Sequence, residues 1–456
     1  MSPSVKSIAS TATGCDSDHS RTDVVSLGTL LAEVNKTLSL FFGTYAQKID
    51  PCDEMTCMDT GHRPNALGAN GASDVFQLLR DGVPRSRTEL SDMTGMARST
   101  IADRLEALTA QGLVGPAAAG ASTGGRPPRR VALLPAARLV LAVDLGASHA
   151  RVAVVNLLNE QLASREEILE ISDGPEPTLG AVLAAADAML CELGRAREDI
   201  MAVGIGVPGP VHFGTGRPSR PPIMPGWDGF DVPGWFRSYW NVMVQVDNDV
   251  NLMALGEHSL LPSPTEHFLF VKVATGIGAG IISGGTLHRG SQGVAGDIGH
   301  VRVTAGEGVH CHCGNEGCLE AVASGAAVAA QLRDAGLDAH TGADVVRLAE
   351  SGNLAAIQAV RAAGRSLGEV LSASISFLNP EVIAVGGRMA AASEHLLAGV
   401  REVVYQRAMP LATRNLSIQT SAQSAEAGLR GASLLALHHA LSPAGLNALA
   451  AQSAST

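Results

Sequence analysis

Arg138–Asn156, RLVLAVDLGASHARVAVVN, reads as two apolar strands joined by a short Gly-Ala-Ser turn, and it decides the fold class. Both runs are rich in Val, Ala and Leu, as expected for strands buried on both faces. A second stretch, His267–Ile282, HFLFVKVATGIGAGII, repeats the pattern of an apolar strand that runs into glycines. Between and after them the periodicity alternates. Helical patterns cover Pro177–Leu193, Val250–Leu260, Ala326–Asp334, Ala343–Glu350, Leu354–Leu378 and Ala425–Leu441, and further strands are IMAVGIGVPG (200–209), NVMVQVDND (241–249) and EVIAVGG (381–387). Strands alternating with helices imply an α/β architecture, and two blocks of similar make-up imply two lobes with a cleft between them.

The segment before this block has another character. Val75, Leu78 and Leu79 begin a short helix, Leu90 and Met93 mark a second that closes at Gly95, and Ile101, Leu105 and Leu108 lie on one face of a third. Arg98, Ser99, Thr100 and Arg104 cluster at the start and outer side of that third helix, the layout of a helix-turn-helix whose recognition helix enters the major groove by its N-terminal end. Leu113–Leu134 fits a two-stranded wing with GGRPPRR at its tip. There Arg126 is placed to enter a minor groove and Arg129 and Arg130 to meet phosphates. Ala97–Arg130 holds five arginines against Asp103 and Glu106, a local balance of +3 in a chain of net charge −11. That asymmetry suits one local phosphate-contacting module and excludes a protein that coats nucleic acid along its whole surface. The competing reading is a small three-helix packing unit with a solvated basic loop.

With 456 residues, 46% hydrophobic and 17% charged, the chain is long enough for several domains and is neither disordered nor collagenous in composition. No apolar run is long enough for a membrane span, and the start lacks a basic segment followed by an apolar one, which gives a cytoplasmic expectation. Residues 1–71 read as a flexible extension with one candidate helix around Val24–Tyr45. The expected division is then 72–135 for the winged helix-turn-helix, 136–250 and 251–424 for the two lobes, and 425–456 for a helix packing back on the first lobe, plus a tail.

Three of the seven cysteines, Cys311, Cys313 and Cys318, fall within eight residues, eleven residues after His300. Three thiolates and one imidazole satisfy tetrahedral zinc, and Gly314 and Gly317 allow the chain to fold sharply around an ion. His310 and His312 are competing nitrogen donors. Cys52 and Cys57 lack a fourth partner at suitable spacing and read as incidental thiols. Glycines mark places where backbone approaches something closely: Gly146 and Ser148 after Asp144, then Thr275, Gly276 and Gly278, then Gly386 and Gly387. Each is by itself an ordinary tight turn; together they suit loops that cradle phosphate, with Asp144 placed to organise magnesium. Asp247 and Asp249 precede a helix and are also candidate caps.

On DLGAS (144–148), GWDG (226–229), DNDVNLMALGE (247–257), TGIGAGIISGGTLHRGSQGVAGDIGH (275–300) and CHCGNEGCLE (311–320), the chain from about 136 to 440 resembles the ROK family of sugar kinases and sugar-responsive repressors. The resemblance implies a two-lobed actin-like (RNase H-like) ATPase fold. A winged helix-turn-helix in front of it is the arrangement of the family's transcriptional regulators. It also implies structural zinc on His300, Cys311, Cys313 and Cys318, Asp249 as general base in the kinases, and sugar contacts from Asn248, Asp249, Asp297, His300 and Glu320. Asp297 stands where the family more often has Glu. Ala147 replaces the second glycine of the kinases' phosphate loop, so Asp144, Gly146, Ser148, Thr275, Gly276, Gly278, Gly386 and Gly387 form a degenerate nucleotide site, with ATP and magnesium expected only in an active kinase. The expectation is a sugar-responsive DNA-binding regulator, a repressor, acting on operator double-stranded DNA as a homodimer or homotetramer, because one short recognition helix carries little affinity. A sugar kinase with a DNA-binding extension is the alternative, and a regulator sensing a phosphotransfer protein is a third possibility.

Overall fold

The computed structural model describes residues 72–117, 129–263, 265–422, 424–442, 444–446 and 448. The candidate helix in 24–45, the thiols Cys52 and Cys57, and Arg126 lie outside the described residues.

The first module runs α1 (Ala72–Leu79), β1 (Arg85–Ser86), α2 (Arg87–Thr94), α3 (Arg98–Ala110), β2 (Val114–Pro116) and β3 (Arg130–Leu133). Ser86 and Glu89 form a capping box at the start of α2, and Gly95 closes it in the left-handed conformation at φ 71°, so the turn into α3 is set locally. The expected face of α3 is buried, with Ile101 and Leu108 at 0% exposure and Leu105 at 3%. The wing strands β2 and β3 pair antiparallel, and β1 adds to the far side of β3. Met93 is exposed and takes no part in this core.

The first lobe holds β4 (Leu139–Leu145), β5 (His149–Asn156), β6 (Gln161–Ile168), α4 (Pro175–Glu192), β7 (Ile200–Val207), the short pair β8 (Val211–His212) and β9 (Arg217–Pro218), α5 (Val232–Tyr239) and β10 (Met243–Asn248). Next comes α6 (Asp249–His258). The second lobe follows with β11 (Phe268–Val273), β12 (Ile277–Ser283), β13 (Thr286–His288), α7 (Leu319–Ala323), α8 (Gly325–Asp334), α9 (Gly342–Glu350), α10 (Leu354–Leu378), β14 (Val382–Gly386), α11 (Ser393–Arg407), α12 (Pro410–Thr413) and β15 (Ser417–Thr420). The chain closes with α13 (Ser424–Ala440).

The two large sheets share one topology. In order across the sheet they are β6-β5-β4-β7-β10 and β13-β12-β11-β14-β15, a three-strand antiparallel meander whose first strand then accepts two parallel strands. Where the sequence suggests one strand entering a glycine run, the structure forms a hairpin: β11 and β12 pair antiparallel across residues 274–276. The edge strand β6, QLASREEI, lies outside the expectation from sequence because its exposed edge position calls for no apolar run.

Alternation along β4 sends Leu141, Val143 and Leu145 into one core with α4, and Val140 and Ala142 into another. That second core is continuous. It joins Val75, Phe76 and Leu79 of α1 and Leu105 and Leu108 of α3 to Ala153 and Val155 of β5 and to Ala436, Leu437 and Ala440 of α13. The first module therefore shares its interior with the first lobe and the last helix. Helices α6 and α13 pack between the sheets at backbone contact. A Cβ on Gly204 would stand 2.0 Å from the Ala432 carbonyl oxygen, and one on Gly256 would stand 2.0 Å from that of Ala427.

Gly204→Ala is expected to lower unfolding stability by about 2–3 kcal/mol through overpacking. Gly180→Ala, with nothing within 4 Å of the added methyl, should instead be neutral or stabilising by up to about 1 kcal/mol, as is usual for Gly→Ala within a helix. Urea denaturation of both variants checks the contrast.

Candidate functional site

Parallel strands bring their carboxyl ends to the cleft, the usual place for ligands in open α/β sheets. Asp144 closes on this side of β4, Asp247 and Asn248 end β10, and Lys272 lies at the end of β11 opposite Gly386 of β14. The position of Lys272 follows from strand periodicity. Phe268 and Phe270 pack on Val250, Met253 and Ala254 of α6, so the next residue on that face, Lys272, points toward the helix's first residue, Asp249.

Lys272 Nζ donates to Asp249 Oδ2 at 2.5 Å, and the Val250 amide donates to Asp249 Oδ1 at 2.9 Å. Burial works against the lysine's charge, but Asp249 and Asp144 outweigh it and lift its pKa above the usual range. Asp144 has no such hydrogen bond. Burial pushes its carboxyl up to about 6, the positive Lys272 and Arg151 opposing and the charge of Asp249 adding to the rise.

Asn248, read as a sugar ligand, is the N-cap of α6: its Oδ1 accepts from the Val250 and Asn251 amides, and its Nδ2 donates to the Gly209 carbonyl. Asp247, read as a possible cap, instead accepts from Asn251 Nδ2 and from Arg289 Nε at 2.7 Å. Arg289 also stacks 3.7 Å from the centre of the Phe213 ring, tying the 289–300 loop of the second lobe to the first. Glu320 Oε2 accepts from the Ile277 amide at 2.9 Å. Asp297 is exposed, with Oδ1 3.9 Å from His300 Nε2.

The glycines expected to form a degenerate nucleotide site have packing reasons as well. A Cβ on Gly146 would stand 2.3 Å from the His149 ring, and one on Gly276 would stand 2.5 Å from Glu320 Oε2. Gly278 and Gly280 face Val250 and Ala254 of α6, and Gly387, at φ 86°, lies against the backbone of Val273. Ser148 and Thr275 are exposed. The positive charge that a magnesium ion would bring to Asp144 and Asp249 is already supplied by Lys272, which bonds Asp249 and acts on Asp144 through its field.

The metal-type cluster forms as its spacing suggests. Ligand atoms of His300, Cys311, Cys313 and Cys318 all lie within 4.8 Å of one another. Cys311 Sγ is 3.7 Å from His300 Nδ1, and Cys313 Sγ is 3.7 Å from Cys318 Sγ, close to the edges of a tetrahedron with metal–sulfur bonds of about 2.3 Å. His310 and His312 are exposed and outside the cluster. Burial and the neighbouring thiols push Cys318 to about 12, a cost that a cation would reverse by holding the thiolate.

On the first module, Arg98 and Ser99 are exposed at the start of α3, Thr100 is half-buried, and Arg129 and Arg130 are exposed beside the wing. Arg130 also pairs with Glu89 at 2.8 Å. Arg104 is turned inward, in correction of the expected groove contact: Nη1 lies 3.6 Å from Asp74 Oδ2, whose carboxylate is buried on α1. A buried carboxylate needs an opposite charge, and Arg104 is the residue that supplies it. The sequence reading also passed over Lys272, His149 and Arg289. A lysine inside the apolar run FLFVKV was the one local sign of the first of these.

The ROK family model matches residues 140–439. The chain belongs to the ROK family. A putative xylose repressor of Caldicellulosiruptor sp. is 26% identical over 361 residues, covering 76% of this chain and 90% of the relative. The DNA-binding transcriptional dual regulator NagC of Escherichia coli is 28% identical over 365 residues, covering 76% and 87%. Among solved structures, a ROK family transcriptional regulator homologous to the E. coli MLC protein superposes with a TM-score of 0.72 at 24% identity, over 84% of this chain and 98% of that one. That match carries the two-sheet fold and the helices before it. A ROK glucokinase from Streptomyces griseus, solved with glucose and AMPPNP, matches at a TM-score of 0.57 and 26% identity over 65% of this chain.

Because the folded pKa of Asp144, about 6, lies above its unfolded value of 3.8, its stability contribution is intact below about pH 4 and lost as pH rises through 6. Asp144→Asn is expected to exceed wild type by about 2 kcal/mol at pH 8, with the advantage fading toward pH 4. Urea midpoints across that range measure it, and a pH-independent difference would assign the effect to packing.

Proposed function

We propose that this ROK protein is a sugar-responsive DNA-binding repressor, with residues 72–135 reading operator double-stranded DNA and the cleft between 136–250 and 251–424 binding a sugar or sugar derivative. The observation that carries the reading is the unbroken core running from α1 and α3 through β4 and β5 to α13, which packs on α6, the helix that begins at Asp249. A ligand that shifts Asp249 or the 289–300 loop presses on the helix pair to which the DNA-reading module is fused. Coupling then needs only unequal sugar affinity in two lobe arrangements.

The DNA-reading surface has a physical basis besides its arginines. Ala97, the residue capping α3, offers no side-chain acceptor, so the first amides of the helix are open toward Arg98 and Ser99. A DNA phosphate would complete that cap. Arg129 and Arg130 extend the positive surface along the wing, Arg126 is the further residue assigned to DNA from the sequence, and pairing two modules in a homodimer or homotetramer would supply the missing affinity.

In the cleft, Asp249, Asp297, His300 and Glu320 are the residues assigned to sugar hydroxyls. Asn248 holds the helix start that aims Asp249. Zinc suits the Cys311, Cys313, Cys318 and His300 set; bound through Nδ1, it would fix the imidazole with Nε2 on the Asp297 side. The kinase alternative has less behind it, since Lys272 pairs with Asp249, and an ammonium bonded to the carboxylate makes it a weaker base.

Mobility shift with the chain's own promoter region should show a complex weakened by salt and released by the effector sugar. Arg98→Ala and Arg126→Ala should each reduce the salt slope by about 1; unchanged slopes would remove those contacts. A thermal-shift screen of sugars identifies the effector, and chelation of the metal or Cys318→Ser should diminish the sugar-dependent shift. Steady ADP release abolished by Asp249→Asn would favour the kinase instead.

A further inference from the structure

Two carboxylates, Asp144 at the end of β4 and Asp249 at the start of α6, lie near one another on the floor of the cleft, Asp249 buried and Asp144 half-buried. Such a pair needs a compensating charge, which in a low-dielectric setting comes from a proton, a bound cation or a neighbouring side chain. Lys272 supplies it from the opposite sheet. Its ammonium bonds Asp249 at 2.5 Å, its field reaches Asp144, and the Phe268 and Phe270 contacts with α6 hold its strand in place.

We propose that Lys272 is a tethered cation standing where a divalent metal would otherwise bridge Asp144 and Asp249, so that the cleft receives its ligand without such a metal and does not support metal-dependent phosphoryl transfer. Three features of the surroundings agree. Asp249 has its second oxygen bound to the Val250 amide, so each of its oxygens is already held by a hydrogen bond. The helix α13 closes on Asp144 from behind, where a Cβ on Gly428 would stand 2.5 Å from Oδ2, leaving no room for a hydrated ion on that side. His149, half-buried against Gly146, fills the turn after β4. The further charges that reach this floor are Arg151 and His149 of β5, Arg388 after β14 and Glu166 of β6, which acts on His149, so the surplus around the two carboxylates is positive. The inference concerns the cleft alone and does not depend on the DNA-binding reading.

Manganese is the probe, because it reports by electron paramagnetic resonance and prefers carboxylate oxygen to the thiolates of the cysteine cluster. The full-length chain should bind no Mn²⁺ that is sensitive to Asp249→Asn. Lys272→Ala should gain one ion per chain, bound about tenfold or more tighter than to wild type and lost again in Lys272→Ala/Asp249→Asn. Lys272→Arg, which keeps the charge, should remain silent like wild type. The proposal is overturned if wild type binds Mn²⁺ in a manner removed by Asp249→Asn, if folded Lys272→Ala gains no ion, or if Lys272→Arg gains it as Ala does. Should Lys272→Ala fail to fold, the wild-type and Lys272→Arg titrations still decide.

Discussion

The close pairing of α6 and α13 between the two sheets is the constraint on which the rest of the molecule depends. Glycines at 204, 256 and 431 let backbone meet backbone, with a Cβ on Gly431 placed only 1.8 Å from the Leu252 carbonyl oxygen. Because α6 touches both sheets, its first residue, Asp249, is held against Lys272 of one lobe while its other side meets the first lobe through Leu252 and Gly206. Because α13 carries Ala436, Leu437 and Ala440 into the core of α1 and α3, the same helix pair also supports the module at the front of the chain.

This geometry gives the cleft its charge pattern. A lysine is costly to bury and two facing carboxylates are costlier, yet together they offset one another. The raised pKa of Asp144 marks the remaining imbalance, since one ammonium answers two acids. The Arg289–Asp247 contact, stacked on Phe213, adds a second bond between the lobes. On the proposed reading, a ligand entering there would meet groups that already have partners, and binding would exchange contacts between the lobes.

Local signals were readable where the physics is local. Ile101, Leu105 and Leu108 announce one helical face, the capping box at Ser86 and Glu89 starts α2, and the Cys-x-Cys spacing with His300 predicts a cluster that the fold indeed assembles. The glycine runs were harder. Gly276 and Gly278 read as room for phosphate, whereas a side chain there would meet Glu320 and Val250 of α6, on elements distant in sequence. Arg104 was misplaced for the same reason, since its partner Asp74 lies on another helix.

By itself the sequence determined the alternation of strands and helices, the helix-turn-helix with its wing, and the cysteine cluster, because periodicity, caps and ligand spacing act over a few residues. Only the tertiary structure decided that Asn248 is a helix cap, that Arg104 faces inward and that Lys272 reaches Asp249. Those outcomes turn on which faces of separate elements are pressed together, and burial charges a free energy for every polar group left without a partner there.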